Sequence, residues 1–591
     1  MTTIRSALKL FPFLLLASCA NTQEPAPSAI AASEPEAALA VLGEATDPDS
    51  QPDIEAEAIE YGNFTEDQLY RAILAEIGGQ RGRMEEAGEN YLELALSTRD
   101  LSVIRRAVQF ASANDDTPAL LELGLLWTQV APQDPQPHLM LSFEFLNTGN
   151  YGQALSHMAR VIDLGADVDF TALAARTGNL QRDQRSRLIG SLRQLRSEFS
   201  EEPSIHLTLI QLLAQNGEYE EALLQLRELT SDAELSPMLV RLEAQILQSN
   251  GDIDAAIRVL RDGVEEFPDA RSIRLSFARM LAQQENFVAA RNQFRALVEQ
   301  NPEDWETWYS LALLNLELES FENAIEIFER LISAGQSVDQ SQYYLGFIYE
   351  QMEQPAAAIE HYRQVRIGSN NYLAAQQQAT RLSIDLGELA EAHAWLISQS
   401  RGQPRLEVLF TTVESNLLIQ AGYSDAAGEL LNTSLNKYPN DADLLFSRVL
   451  LNDSLANQEA SERDLRQIIR MQPDNAQALN HLGYMLADQT DRYEESLELV
   501  EQAIALAPDD PAIIDSLGWA QYKLGRYEEA LRSLRRAFAA FPNHEVASHL
   551  GEVLWQLDRR DEALEIWQQG LEDDPDSEII QEAMDRLRDE R

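Results

Sequence analysis

The 591-residue chain has one cysteine, Cys19, and three lysines, Lys9, Lys437 and Lys523. A single thiol excludes a disulfide framework and leaves no cysteine cluster to hold a structural metal. Basic residues are scarce as a class: 46 Lys and Arg stand against 97 Asp and Glu, a net charge of −51. Nucleic-acid binding draws on clustered cations that displace counterions, so a body this acidic excludes it. The same charge opposes lying flat on an anionic bilayer and favours fast encounter with basic partners.

Chemical motifs are missing too. The histidines of His544-Glu545-Val546-Ala547-Ser548-His549 are five apart, whereas a helix needs four to bring two imidazoles onto one metal. Gly78-Gly79-Gln80-Arg81-Gly82 lacks the Gly-Lys-Ser/Thr ending of a phosphate-binding loop, and there is no Gly-x-Ser-x-Gly. Nothing in these patterns argues for catalysis, a cofactor or a bound metal, and the expectation is a non-enzymatic protein.

What the chain does have is a repeat. Ala222, Ala256, Ala290, Ala324, Ala358 and Ala392 recur at five steps of 34. Twelve positions before the marker sits a small residue (Ala244, Ala278, Ala312, Gly346). Four after it sits a large one (Leu226, Leu260, Phe294, Phe328, Tyr362). Small residues let paired helices approach closely, and the large one fills the gap. Gly217, Gly251 and Gly387, five before the marker, suit the left-handed turn that closes a helix. Pro followed by Asp or Asn, as in Pro439-Asn440 and Pro542-Asn543, stops one unit and caps the next. Such a pattern closely resembles the tetratricopeptide repeat (TPR). The fold implied is all-α, a TPR superhelical solenoid of roughly 13–15 helix-turn-helix repeats over residues 65–577. Markers at Ala87, Ala119, Ala154, Ala427, Ser461, Ser496, Ala530 and Ala563 extend it, with a degenerate unit between Ala154 and Ala222. Residues 578–591 place Ile580, Met584 and Leu587 on one face, as a solvating cap helix would.

Residues 1–18 read as a secretory leader: Arg5 and Lys9 precede the short apolar run Leu10–Leu16, far below the roughly 20 residues of a spanning helix. Leu16-Ala17-Ser18-Cys19 resembles the bacterial lipobox, which implies cleavage before Cys19 and acylation of that residue. Ala20 after it points, by the same resemblance, to the outer membrane, with the chain lipid-anchored on its periplasmic face. Residues 19–64 complete the anchor: from Ala20 to Phe64 there are ten acidic residues and no basic one. Composition of that kind predicts a disordered, self-repelling tether.

Surface is where function must lie. The TPR resemblance implies a concave groove lined by the first helix of each unit. By register this gives Tyr343 and Phe347, then Gln477, Asn480 and Tyr484, then Asp515, Trp519, Tyr522 and Lys523, then Glu552 and Trp555. Exposed aromatics carry binding hot spots; the alternative is that these rings pack between units. A second anomaly is Arg176 to Arg196, where Arg176, Arg182, Arg185, Arg187, Arg193 and Arg196 face one acid, Asp183. This basic island is either a docking patch for an acidic partner or the counterpart of Glu-rich neighbours in the stack.

The opening of the array, Gln68-Leu69-Tyr70-Arg71-Ala72-Ile73-Leu74-Ala75-Glu76-Ile77-Gly78-Gly79-Gln80-Arg81, and the later Ser97-Thr98-Arg99-Asp100 resemble long periplasmic TPR lipoproteins of the LbcA type. These are adaptors for a carboxy-terminal processing protease. That resemblance implies a scaffold that captures a secreted serine protease and its substrates, such as peptidoglycan hydrolases. The alternative is a lipoprotein assembly factor for a secretin, pilus or polysaccharide-export complex. An enzyme would need an additional α/β region, for which the repeats leave no room.

Overall fold

The computed structural model describes residues 64–232 and 235–589; Cys19 and the acidic stretch before Phe64 lie outside them. Among the described residues there are 31 α-helices and no strand, the all-α architecture expected. None is long and apolar enough to cross a membrane. Two compact units, Met1–Ala324 and Ile325–Arg591, divide the chain. Within each, most consecutive helices pair, while the short Thr171–Arg176 helix packs on Pro203–Asn216. In chain order the last described helix is Glu578–Asp589.

The repeat markers are the contact points of these pairs. Ala222, Ala256, Ala290, Ala324 and Ala358 are fully buried, and Ala392 is nearly so. In four helix pairs of the second unit a glycine of the first helix lies directly beneath a large residue of the second. A Cβ added at Gly346 would come 2.6 Å from Tyr362, at Gly483 2.5 Å from Val500, and at Gly518 2.5 Å from Leu534. At Gly551 it would come 2.1 Å from Nε1 of the buried Trp567. Gly551→Ala is therefore expected to destabilise the His544–Gln556 helix by about 1–3 kcal/mol, the range for overpacking a core. Faster amide exchange in that helix would register it.

Caps and turns follow the sequence signals. Asp510 accepts from the N–H groups of Ala512 and Ile513 at 2.9 and 3.4 Å, and Asn543 from that of Val546 at 2.9 Å. These satisfy donors that a helix start leaves orphaned. Gly217 and Gly251 take positive φ, 83° and 90°. Where glycine is absent the turn persists: Glu285, Glu319 and Glu353, each five before its marker, adopt φ of 56°, 51° and 59°. The stacking geometry outweighs the left-handed penalty of about 1–2 kcal/mol. Glu353→Gly should relieve it. After the greater unfolded-state freedom of glycine is set against it, a net gain of about 0.5–1 kcal/mol is expected, read as a higher thermal midpoint.

The degenerate fourth unit lies in the first compact unit. Its first helix, Thr171–Arg176, has six residues, and its second is Arg182–Glu198. Leu188 and Leu192 of that second helix are buried, as the spacing requires. The shortened helix ends under Arg185, whose guanidinium donates to the carbonyls of Thr177, Gly178, Leu180 and Gln215. At the other end of the chain Ile580 and Leu587 of the terminal helix are buried against the last pair, with Met584 beside them.

Candidate protein-binding surfaces

In the second unit the first helices Ala476–Gln489, Pro511–Lys523 and His544–Gln556, with the terminal helix, bring together a polar and aromatic cluster. Its centre is an ion pair between Asp515 and His549, Nδ1 lying 3.0 and 2.9 Å from the two carboxylate oxygens. Both side chains are at most 10% exposed. Burial pulls the His549 pKa down, but Asp515, Glu552 and Asp488 more than offset it and the net shift is upward. The His549 ring stacks on Trp519 at 4.1 Å, Trp519 stacks on Tyr522 at 5.0 Å, and Tyr484 closes the row 6.0 Å from His549. Trp519 donates through Nε1 to Asp488 at 3.3 Å, and Lys523 lies 4.7 Å from its ring centroid. Glu552 is held by Arg586 of the terminal helix.

Trp519 is thus not a free groove aromatic. It is 3% exposed, because the neighbouring first helix lays His549 across its face; of the two alternatives, the structure takes packing between units. Tyr484, Tyr522 and Trp555 are half-buried, and Trp555 sits 5.7 Å from Trp567 with Arg560 5.2 Å from its ring. Farther along, Tyr343 is half-buried, 5.6 Å from both Tyr344 and Tyr362, and burial followed by Glu350 raises its pKa. Phe347 is also half-buried. His544 bonds Ser577 at 2.9 Å while His549 turns to Asp515, so the two histidines have separate partners.

The arginine island in the first unit divides. Arg185 is 9% exposed in its carbonyl cradle, which corrects its place in a docking patch: it replaces packing lost with the short helix. Arg193 pairs with Glu218 and Glu221, and Arg196 with Glu228, at 3.3, 2.8 and 2.9 Å. Arg176 lies 5.4 Å from the Phe143 ring centroid. Arg182 and Arg187 are exposed, Arg187 donating to the Asp183 carbonyl. Two features went unnoticed in the sequence. Beside the short helix opens a cleft of about 430 Å³ lined by uncharged residues, among them Thr171, Gln211, Gln215, Met238 and Gln245. His138 and His157 meet at 2.8 Å between their Nδ1 atoms, and burial, with the charge of His138, pulls the His157 pKa down to about 4.

Stacked 34-residue helix pairs with polar faces on their first helices define a class of protein-interaction scaffolds, and tetratricopeptide repeat profiles match residues 241–293, 277–339, 474–543 and 521–587. The chain belongs to the tetratricopeptide repeat proteins. It is 38% identical over 512 residues to TPR repeat-containing protein PA4667 of Pseudomonas aeruginosa, covering 85% of this chain and 86% of that one. Among solved structures, yeast Tom70 matches at 13% identity over 88% of this chain and 95% of its own, with a TM-score of 0.33. MamA of Desulfovibrio magneticus matches at 18% over 29% and 97%, with a TM-score of 0.26.

Proposed function

We propose that this protein is a lipid-anchored adaptor on the periplasmic face of the outer membrane, which binds a carboxy-terminal processing serine protease and presents its substrates to it. The observation that carries the reading is the likeness of the array's opening, Gln68 to Arg81, to adaptors of that type, in a chain whose Leu16-Ala17-Ser18-Cys19 also resembles a lipobox. Further support comes from the interaction class of the repeats and from polar faces in both compact units. The mechanism needs no chemistry of its own. Two ligands held on one tethered array meet at an effective concentration set by the array rather than by bulk diffusion, which raises their encounter by orders of magnitude. A membrane anchor confines the reaction to the envelope surface.

Purified array lacking residues 1–64, used as bait in periplasmic extract, is expected to enrich a carboxy-terminal processing protease. Added to that protease in vitro, it should accelerate cleavage of a peptidoglycan hydrolase. Recovery of secretin, pilus or polysaccharide-export components in its place, with hydrolase levels unchanged in cells lacking the protein, would replace the adaptor reading with an assembly role.

A further inference from the structure

Glu552 has surroundings that stacking alone does not explain. Its side chain is 4% exposed, Oε1 accepts from the Arg586 guanidinium, and Oε2 is buried with no hydrogen-bond partner. A buried carboxylate oxygen without a donor is costly, and a helix built only to stack would place an apolar residue there. The groups around it have one chemistry. Burial, then Asp488, Asp515, Glu545 and Glu552, push up the pKa of the Tyr484 hydroxyl, so four carboxylates from three first helices bear on one phenol. The nearby cations are committed: His549 to Asp515, Lys523 to the Trp519 face, Arg586 to Glu552. Tyr484, His549, Trp519 and Tyr522 make a continuous row of rings beside them. Carboxylates next to aromatic faces recognise guanidinium and ammonium groups, by ion pairing and by cation–π attraction. Arg586 already demonstrates that recognition within the chain. Its own side chain is 51% exposed, and the burial of the terminal helix rests on Ile580, Ala583 and Leu587 instead.

We propose that this face of the second unit receives an Arg- or Lys-bearing segment of a partner protein, whose cationic side chain takes the place on Glu552 that Arg586 fills in the free chain. The proposal rests on the binding role given above and specifies what the partner brings to it. Arg586 acts as an internal surrogate, keeping the carboxylate paired until a ligand with several cations displaces it. Asp488 and Glu545 supply the remaining attraction.

The test is fluorescence anisotropy with the full chain and a labelled peptide of about ten residues carrying alternating arginines. A second peptide has citrulline at each arginine, which keeps shape and hydrogen bonding but removes charge. The arginine peptide should bind at least about tenfold more tightly than the citrulline peptide, and less tightly as salt rises. Asp488→Asn with Glu545→Gln should weaken binding about threefold to tenfold. Arg586→Gln should strengthen it, an effect that a purely structural Arg586 does not produce. Equal affinity for the two peptides overturns the proposal. So does an Arg586→Gln variant of unchanged helical content that binds no better than the parent. No protease enters this assay, so its failure leaves the pull-down result standing, and a failed pull-down leaves this result standing.

Discussion

Asp515→Ala is expected to loosen the C-terminal unit by about 3 kcal/mol near pH 6, the scale on which removing one partner of a buried ion pair is felt. The substitution leaves His549 buried against Trp519 with its counter-ion gone. Because the pKa of His549 is raised in the folded chain, the pair's contribution is fully present below the ordinary histidine value of about 6.5 and is lost as pH rises through the folded value. Glu552 acts in the same sense, since burial raises its pKa against the pull of Arg586, His549 and Lys523. The parent chain should therefore lose local stability in this region on going from about pH 6 to a more alkaline pH, and the difference between parent and Asp515→Ala should shrink between those two pH values. An array unfolds by segments rather than as one unit. The measurement is thus amide exchange in the Pro511–Lys523 and His544–Gln556 helices at the two pH values. An equal loss at both would show that His549 is neutral in the folded chain.

Cys19→Ser should move the protein from the membrane fraction to the soluble fraction nearly completely. The lipobox reading gives the mature N-terminus three acyl chains, and each buried methylene contributes about 0.8 kcal/mol. No described helix offers a second means of crossing a membrane. Fractionation of cells expressing the serine variant, with the parent alongside, reads the result directly. Retention of the variant at the membrane would mean that a partner or another surface of the chain holds it there, and would remove the anchor from the proposed mechanism.

Much of the architecture is legible at the level of residue spacing. Helix pairs in contact constrain one small residue and one large residue per 34, and the constraint is local enough to appear as a period. Capping likewise involves side chain and backbone within three residues, so Asn543 could be recognised before its bond to Val546 was seen. The candidate surface was only half legible. Register picked out Tyr484, Asp515, Trp519, Tyr522 and Glu552 as first-helix groove positions, but left open whether the rings face a ligand or pack between repeats and did not pair the charges. The missing signal was present one period away: Asp515 and His549 are 34 apart, as are Glu552 and Arg586. Opposite charges at that separation on successive first helices are neighbours. Arg185 escaped for a different reason, since nothing in a count of arginines tells a guanidinium bonded to four carbonyls from one in solvent.

The amino-acid order alone determined the helical class, the turns marked by glycine and the small-over-large contact in the regular repeats, because all of these depend on groups within one repeat or at a fixed offset from it. Tertiary structure decided which charges and rings are spent inside the stack and which are left to a partner. That outcome depends on how closely neighbouring repeats approach and on the dielectric they create between them, as the burial of Trp519 under His549 and the unpaired oxygen of Glu552 both show.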